Sequence, residues 1–147
     1  MAQVKVVAER TVPGSPEAVQ AIVADYVTAR PQVLTGHYSE YEVLEGGQGA
    51  GTRVHWKLRA TQKRVRDCVV EVSEPEHGTL VERDANSTMV TTWTVRAAGE
   101  QGSTVRLETT WRGAGGIGGF FERTFAPLGL RRIYDEMLGK LDPLVRS

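Results

Sequence analysis

Through most of the chain apolar residues recur at every second position, and near its end they recur at every third or fourth. Val4, Val6, Ala8 and Val12 alternate with Lys5, Glu9 and Thr11, which predicts a strand over 4–12. Pro13-Gly14 ends it, and Ser15-Pro16-Glu17 opens a helix with Ser15 as N-cap and Val19, Ile22, Val23 and Tyr26 as its buried stripe. A second short helix is expected around 28–34, its limits blurred by Arg30-Pro31. From Tyr38 the period is two again, giving strands over 38–45, 52–60, 62–73, 79–84, 87–97 and 104–111. On these, Val54, Trp56 and Leu58 share a face, as do Cys68, Val70 and Val72, then Met89, Thr91, Trp93 and Val95, then Val105, Leu107, Thr109 and Trp111. Over 79–84 both Leu80 and Val81 are apolar, so the inward side stays open.

The stretch Gly118 to Val145 carries the helical periodicity. Phe121, Phe125, Leu128, Leu130, Ile133, Met137, Leu141 and Leu144 form one stripe, with Arg131, Arg132, Asp135, Glu136 and Lys140 opposite. Pro127 and Gly129 interrupt it, which predicts a kink or a short break near Ala126. Strands linked by hairpin-length turns argue for an antiparallel sheet, and its apolar face needs a partner. The terminal helix is the one long partner the pattern offers. The expected class is α+β: a curved seven-stranded antiparallel sheet around a long C-terminal helix, with two short helices between strands 1 and 2.

Length and charge narrow the picture. The 147 residues suggest a single domain over 1–147. Lys+Arg and Asp+Glu stand at 18 each, which removes the electrostatic case for nucleic acid or an anionic membrane. No apolar run approaches the ~18 residues of a membrane span, so no stable membrane insertion is expected. Cys68 is the one cysteine, so no internal disulfide forms, and a cytoplasmic protein is the simplest reading.

The element order, with Val12-Pro-Gly-Ser-Pro-Glu-Ala-Val19 opening the first helix, resembles the START-like (SRPBCC, Bet v 1-like) helix-grip fold. Tyr41-Glu-Val-Leu-Glu-Gly-Gly-Gln-Gly-Ala-Gly-Thr-Arg53 resembles the second-strand hairpin of its polyketide cyclase/dehydrase-like branch, and Gly78-Thr-Leu-Val-Glu-Arg-Asp84 fits as well. The resemblance spans essentially the whole chain and is specific for fold, not chemistry. It implies an apolar cavity between sheet and terminal helix, a hydrophobic small molecule as partner, and, in some members, cyclisation or dehydration inside that cavity.

The inward aromatics Trp56, Trp93, Trp111, Phe121 and Phe125 are ordinary core or, as a set, the wall of a ligand pocket to which Thr91 and Thr109 add small polar groups. Arg10, Arg66 and, by extension of the pattern, Arg64 fall on apolar faces. An inward Arg needs a carboxylate, a ligand or open water. Either these three snorkel out at strand ends, or Arg66 orients a carboxylate, enolate or carbonyl oxygen of a ligand. Gly113-Ala-Gly115-Gly-Ile-Gly118 matches G-x-G-x-x-G, but no βαβ unit surrounds it, so it reads as a strand-to-helix connection whose mobility could gate a cavity. His37, His55 and His77 lack metal-ligand spacing, and Cys68 lacks any cue for activation; no metal and no cofactor is expected. Tyr26, Tyr41 and Tyr134 are candidate acids or donors, but core packing with the hydroxyl at an edge is the preferred reading of each.

The catalytic residues stay unassigned. Three readings follow: a carrier of a hydrophobic or amphipathic ligand (lipid or polyketide-like), bound by Trp56, Arg66, Trp93, Thr109, Trp111, Phe121 and Phe125; a polyketide cyclase/aromatase or dehydrase using the same cavity; or a ligand-free regulatory or partner-binding protein, as monomer or homodimer. Inward titratable groups within hydrogen-bond reach of one another would favour the enzyme, and a wholly apolar cavity the carrier.

Overall fold

The computed structural model describes residues 3–61, 64–112 and 127–146. Seven strands form one antiparallel sheet: β1 (Gln3–Val12), β2 (Tyr38–Glu45), β3 (Arg53–Thr61), β4 (Arg64–Glu76), β5 (Thr79–Asp84), β6 (Val90–Ala97) and β7 (Ser103–Arg112). Their order is β1-β7-β6-β5-β4-β3-β2. Helices α1 (Pro16–Val23) and α2 (Arg30–Val33) lie between β1 and β2, and α3 (Pro127–Gly139) and α4 (Leu141–Arg146) close the chain. This is the α+β helix-grip arrangement.

Local chemistry explains the pieces. Ser15 caps α1 by accepting from the Ala18 N–H at 3.1 Å, with Pro16 in the first turn. Val6, Ala8 and Val12 of β1 face the core beside Val105, Leu107, Thr109 and Trp111 of β7. Gly102 turns the chain from β6 into β7 at φ 111°, and a Cβ there would lie 2.2 Å from the Val12 carbonyl oxygen. On α3 the residues Leu130, Ile133, Tyr134, Met137 and Leu138 are buried, and the Tyr134 hydroxyl meets Thr109 Oγ1 of β7 at 2.5 Å. That hydrogen bond fixes α3 on the sheet face that also carries Trp93 and Leu107.

Three features depart from the plain periodic pattern. The terminal helix breaks at Lys140, where one long helix was expected. Pro143 is the cause: it has no N–H to offer the Gly139 carbonyl four residues back, so α3 stops and α4 starts anew. The expected kink near Ala126 lies outside the described residues. β2 carries register shifts after Ser39 and Val43, with Glu40 at φ 52°. A strict period of two would send Tyr38 and Tyr41 to opposite faces, but both rings rest on Trp56: Tyr38 edge-on at 6.0 Å and Tyr41 stacked at 6.3 Å. On β5 the inward side is Leu80, Glu82 and Asp84, each buried.

Candidate functional site

Glu82 is a carboxylate 4% exposed in the middle of a sheet, and burying a charge is costly unless it is paired and hydrogen-bonded. It is both. Its Oε2 accepts the Tyr26 hydroxyl at 2.5 Å and lies 2.9 Å from Nη1 of Arg30, and its Oε1 accepts Trp93 Nε1 at 3.3 Å. Arg30 is equally enclosed, at 3% exposure. Its guanidinium sits 4.6 Å from the Tyr26 ring centroid and 4.3 Å from that of Trp93, and its Nη1 also donates to the Val23 carbonyl at 3.0 Å. Tyr41 donates to the Tyr26 carbonyl at 2.5 Å, which ties β2 to the segment between α1 and α2. Burial is the largest single influence on Arg30 and would lower its pKa, but the charge of Glu82, Tyr26 and the hydrogen bond to Glu82 together raise it more and hold the guanidinium above its ordinary range. Burial, then Glu82, pushes the Tyr26 phenol well above its usual value.

A second polar row stands on β6, β7 and α3. Thr91 Oγ1 meets Thr109 Oγ1 at 2.7 Å, and Thr109 meets the Tyr134 hydroxyl. Burial pushes Tyr134 up to about 12, against the pull of the two threonine hydroxyls. Both groups border one cavity between the sheet and α3, of about 30 Å³. Tyr38, Trp56, Leu58, Trp93 and Leu107 supply much of its wall, with Leu34, Met89 and Met137 completing it. Lys140 Nζ donates to the Leu34 carbonyl at 3.2 Å, joining the α3–α4 break to the end of α2 beside this cavity.

The residues singled out from the sequence fall as follows. Trp56 and Trp93 border the cavity. Thr109 is fully buried behind Thr91 and Tyr134. Trp111 is buried at 1% exposure but borders an open cleft at the end of the sheet with Arg83, Asp84 and Arg112. Arg66 is half-buried on β4 opposite Leu58 and is not among the described residues that border the cavity. Phe121, Phe125, the Gly113–Gly118 run and the Arg64 side chain lie outside the described residues. Arg10 is exposed and clasps Asp142 of α4 at 3.2 Å through both Nε and Nη2. Cys68 is buried, and burial pushes its thiol up to about 12.

Periodicity left Arg30 and Glu82 unassigned. Arg30 sits in a four-residue helix, too short to show a stripe, and Glu82 shares a strand in which two neighbouring residues are apolar. Among the described residues there is no cluster of His, Cys, Asp or Glu fit to hold a metal ion, and no helix long and apolar enough to cross a membrane.

The family model described as polyketide cyclase / dehydrase and lipid transport matches residues 3–146. Among solved structures, the chain is similar to the KanY protein (ms6282), determined by NMR in solution, at 55% identity over 100% of both chains with a TM-score of 0.89. TTHA0849 from Thermus thermophilus is similar at 22% identity over 97% of each chain, TM-score 0.74. A point mutant of norcoclaurine synthase from Thalictrum, held with a transition-state analogue, is similar at 13% identity over 92% of each chain, TM-score 0.65. These last two share the fold. A search of the curated proteins found no match.

Proposed function

Because the chain belongs to the polyketide cyclase / dehydrase and lipid transport family, we propose that it binds a small hydrophobic or amphipathic molecule between the sheet and α3. One observation carries the reading. The wall of the cavity is mostly aromatic and aliphatic, and a few fixed polar groups, Arg30, Glu82, Thr91 and Tyr134, converge on it. That mixture is the usual make-up of a small-molecule site. At about 30 Å³ the space has room for about two waters, so a larger guest enters by displacing the wall. Met89 and Met137 are suited to this, since an unbranched thioether side chain repacks at little cost.

A second reading, a cyclase or dehydrase working in the same cavity, is supported by the titratable groups that border it. There Arg30 and Tyr134 would polarise a carbonyl, and Glu82 would take a proton. Against it, Glu82 is held by Tyr26, Arg30 and Trp93 and is not left free for a substrate. Binding is therefore the reading supported best. Native mass spectrometry of the protein purified from its own host tests it. The expected result is a co-purifying small molecule released on denaturation. Bare protein in repeated preparations, with no uptake of added apolar probes, would refute it.

A further inference from the structure

We infer that the occupant of this cavity is uncharged and is held through a carbonyl oxygen by the hydroxyls of Tyr38 and Tyr134. The inference rests on the reading of the cavity as a ligand site, and adds the class of ligand and the residues that select it.

Charge comes first. Of the described residues that border the cavity, Arg30 and Glu82 alone are charged, and they neutralise each other at 2.9 Å. An anion entering the cavity would lose its water and find a guanidinium already paired. A cation would find a carboxylate whose charge Arg30 already offsets and which accepts from Tyr26 and Trp93. Either would carry an uncompensated desolvation cost. A neutral guest carries none.

The hydrogen-bond inventory then sets the polarity of that guest. The Tyr38 hydroxyl has no hydrogen-bond partner among the described residues, although the side chain borders the cavity and its ring is set edge-on against Trp56. Burial pushes this phenol well above its ordinary pKa, so it stays a donor at neutral pH. Thr91, Thr109 and Tyr134 own three hydroxyl protons, and the two hydrogen bonds joining them in a row use two. Hydroxyl protons rotate, so the third is presented at whichever end meets an acceptor. Both ends, Thr91 and Tyr134, border the cavity, while Thr109 between them is 0% exposed. Arg30 Nε adds a buried N–H without an acceptor among the described residues. The cavity thus has donors to spare, while three of the roughly four acceptor sites on its one carboxylate are already used. A carbonyl oxygen, with two lone pairs and no proton, complements that set.

Three probes of one shape test this by isothermal titration calorimetry: 2-acetylnaphthalene, 2-isopropylnaphthalene and 2-naphthoate. Each is titrated into the wild type, Tyr38→Phe and Tyr134→Phe. The ketone is expected to bind at least about tenfold tighter than the carboxylate, which forfeits about 1.4 kcal/mol or more. Tyr38→Phe should weaken the ketone by about three- to tenfold and leave the hydrocarbon within about twofold. Tyr134→Phe should act in the same direction. Should Tyr134→Phe loosen the fold, Tyr38→Phe still decides, because its hydroxyl is bonded to none of the described residues. Equal or tighter binding of 2-naphthoate overturns the inference, as does a Tyr38→Phe effect shared by ketone and hydrocarbon; in both cases the cavity reading survives. If none of the three binds, the inference and the cavity reading fall together.

Discussion

The Arg30–Glu82 pair permits a sharp prediction about stability. Glu82→Gln keeps one acceptor oxygen, for Tyr26 or for Trp93 but not both, and removes the charge that Arg30 faces at 2.9 Å. Both side chains are 3% exposed, so the guanidinium left behind has no route to water without moving α2 off the sheet. Breaking a buried pair on one side costs about 3–5 kcal/mol, a large share of the roughly 5–15 kcal/mol that holds a domain folded. Arg30→Met strands the carboxylate and should cost a similar amount. The double variant leaves no unpaired charge at this pair, and the amide introduced at position 82 can still accept from one of Tyr26 and Trp93. Its loss should therefore fall short of the summed single losses by about 2 kcal/mol or more. Urea unfolding followed by tryptophan fluorescence measures this. With a slope of about 2 kcal/mol per molar, each single variant should lower the midpoint by about 1.5–2.5 M. If Glu82→Gln costs less than about 1 kcal/mol, or the two losses simply add, Arg30 is not confined as described and the reasoning fails.

Other consequences follow from single positions. Burial lifts the Cys68 thiol to about 12, so a disulfide exchange reagent at pH 8 should modify it at the rate of unfolding and not faster; rapid labelling of native protein would contradict this. His55 Nε2 lies 2.7 Å from Asp67, a hydrogen bond that raises the imidazole's pKa. The contact therefore stabilises the fold fully below the ordinary histidine value of about 6.5 and is lost as pH rises through the raised value. An NMR titration should show the His55 midpoint falling in Asp67→Asn, and an unchanged midpoint would remove Asp67 as the cause. Gly102→Ala would set a Cβ 2.2 Å from the Val12 carbonyl oxygen at φ 111°, and should cost at least about 2 kcal/mol in urea unfolding.

The fold was largely legible because its core is written in two clean periods. Val54-x-Trp56-x-Leu58 and Val105-x-Leu107-x-Thr109-x-Trp111 alternate without interruption, so their faces follow from the pleat alone. Where the backbone departs from its period, sequence reading went astray or fell silent. The bulge near Glu40 brings Tyr38 and Tyr41 onto one ring, which alternation forbids. The helix break at Lys140 depends on Pro143, three residues downstream and easily passed over beside the more conspicuous Pro127. The candidate site was half legible. Trp56 and Trp93 lie on regular strands and border the cavity. Arg30 and Glu82 were hidden because a buried ion pair is a property of two distant segments. Neither residue alone carries a mark of burial, and the arithmetic that favours burial needs both at once. Arg10, by contrast, met the stated requirement of a carboxylate partner, in Asp142 at the far end of the chain.

The central claim is that the space bounded by Arg30, Glu82, Tyr38 and Tyr134 admits a small molecule. The most direct measurement uses protein carrying carbon-13 at its methionine methyl groups, titrated with 2-acetylnaphthalene and read by NMR. Met89 and Met137 border the cavity, so the account predicts saturable shifts at both methyls, with ligand contacts to Trp93 and Tyr38. Unmoved Met89 and Met137 signals, or ligand contacts confined to exposed residues such as Val27 and Leu44, would contradict it.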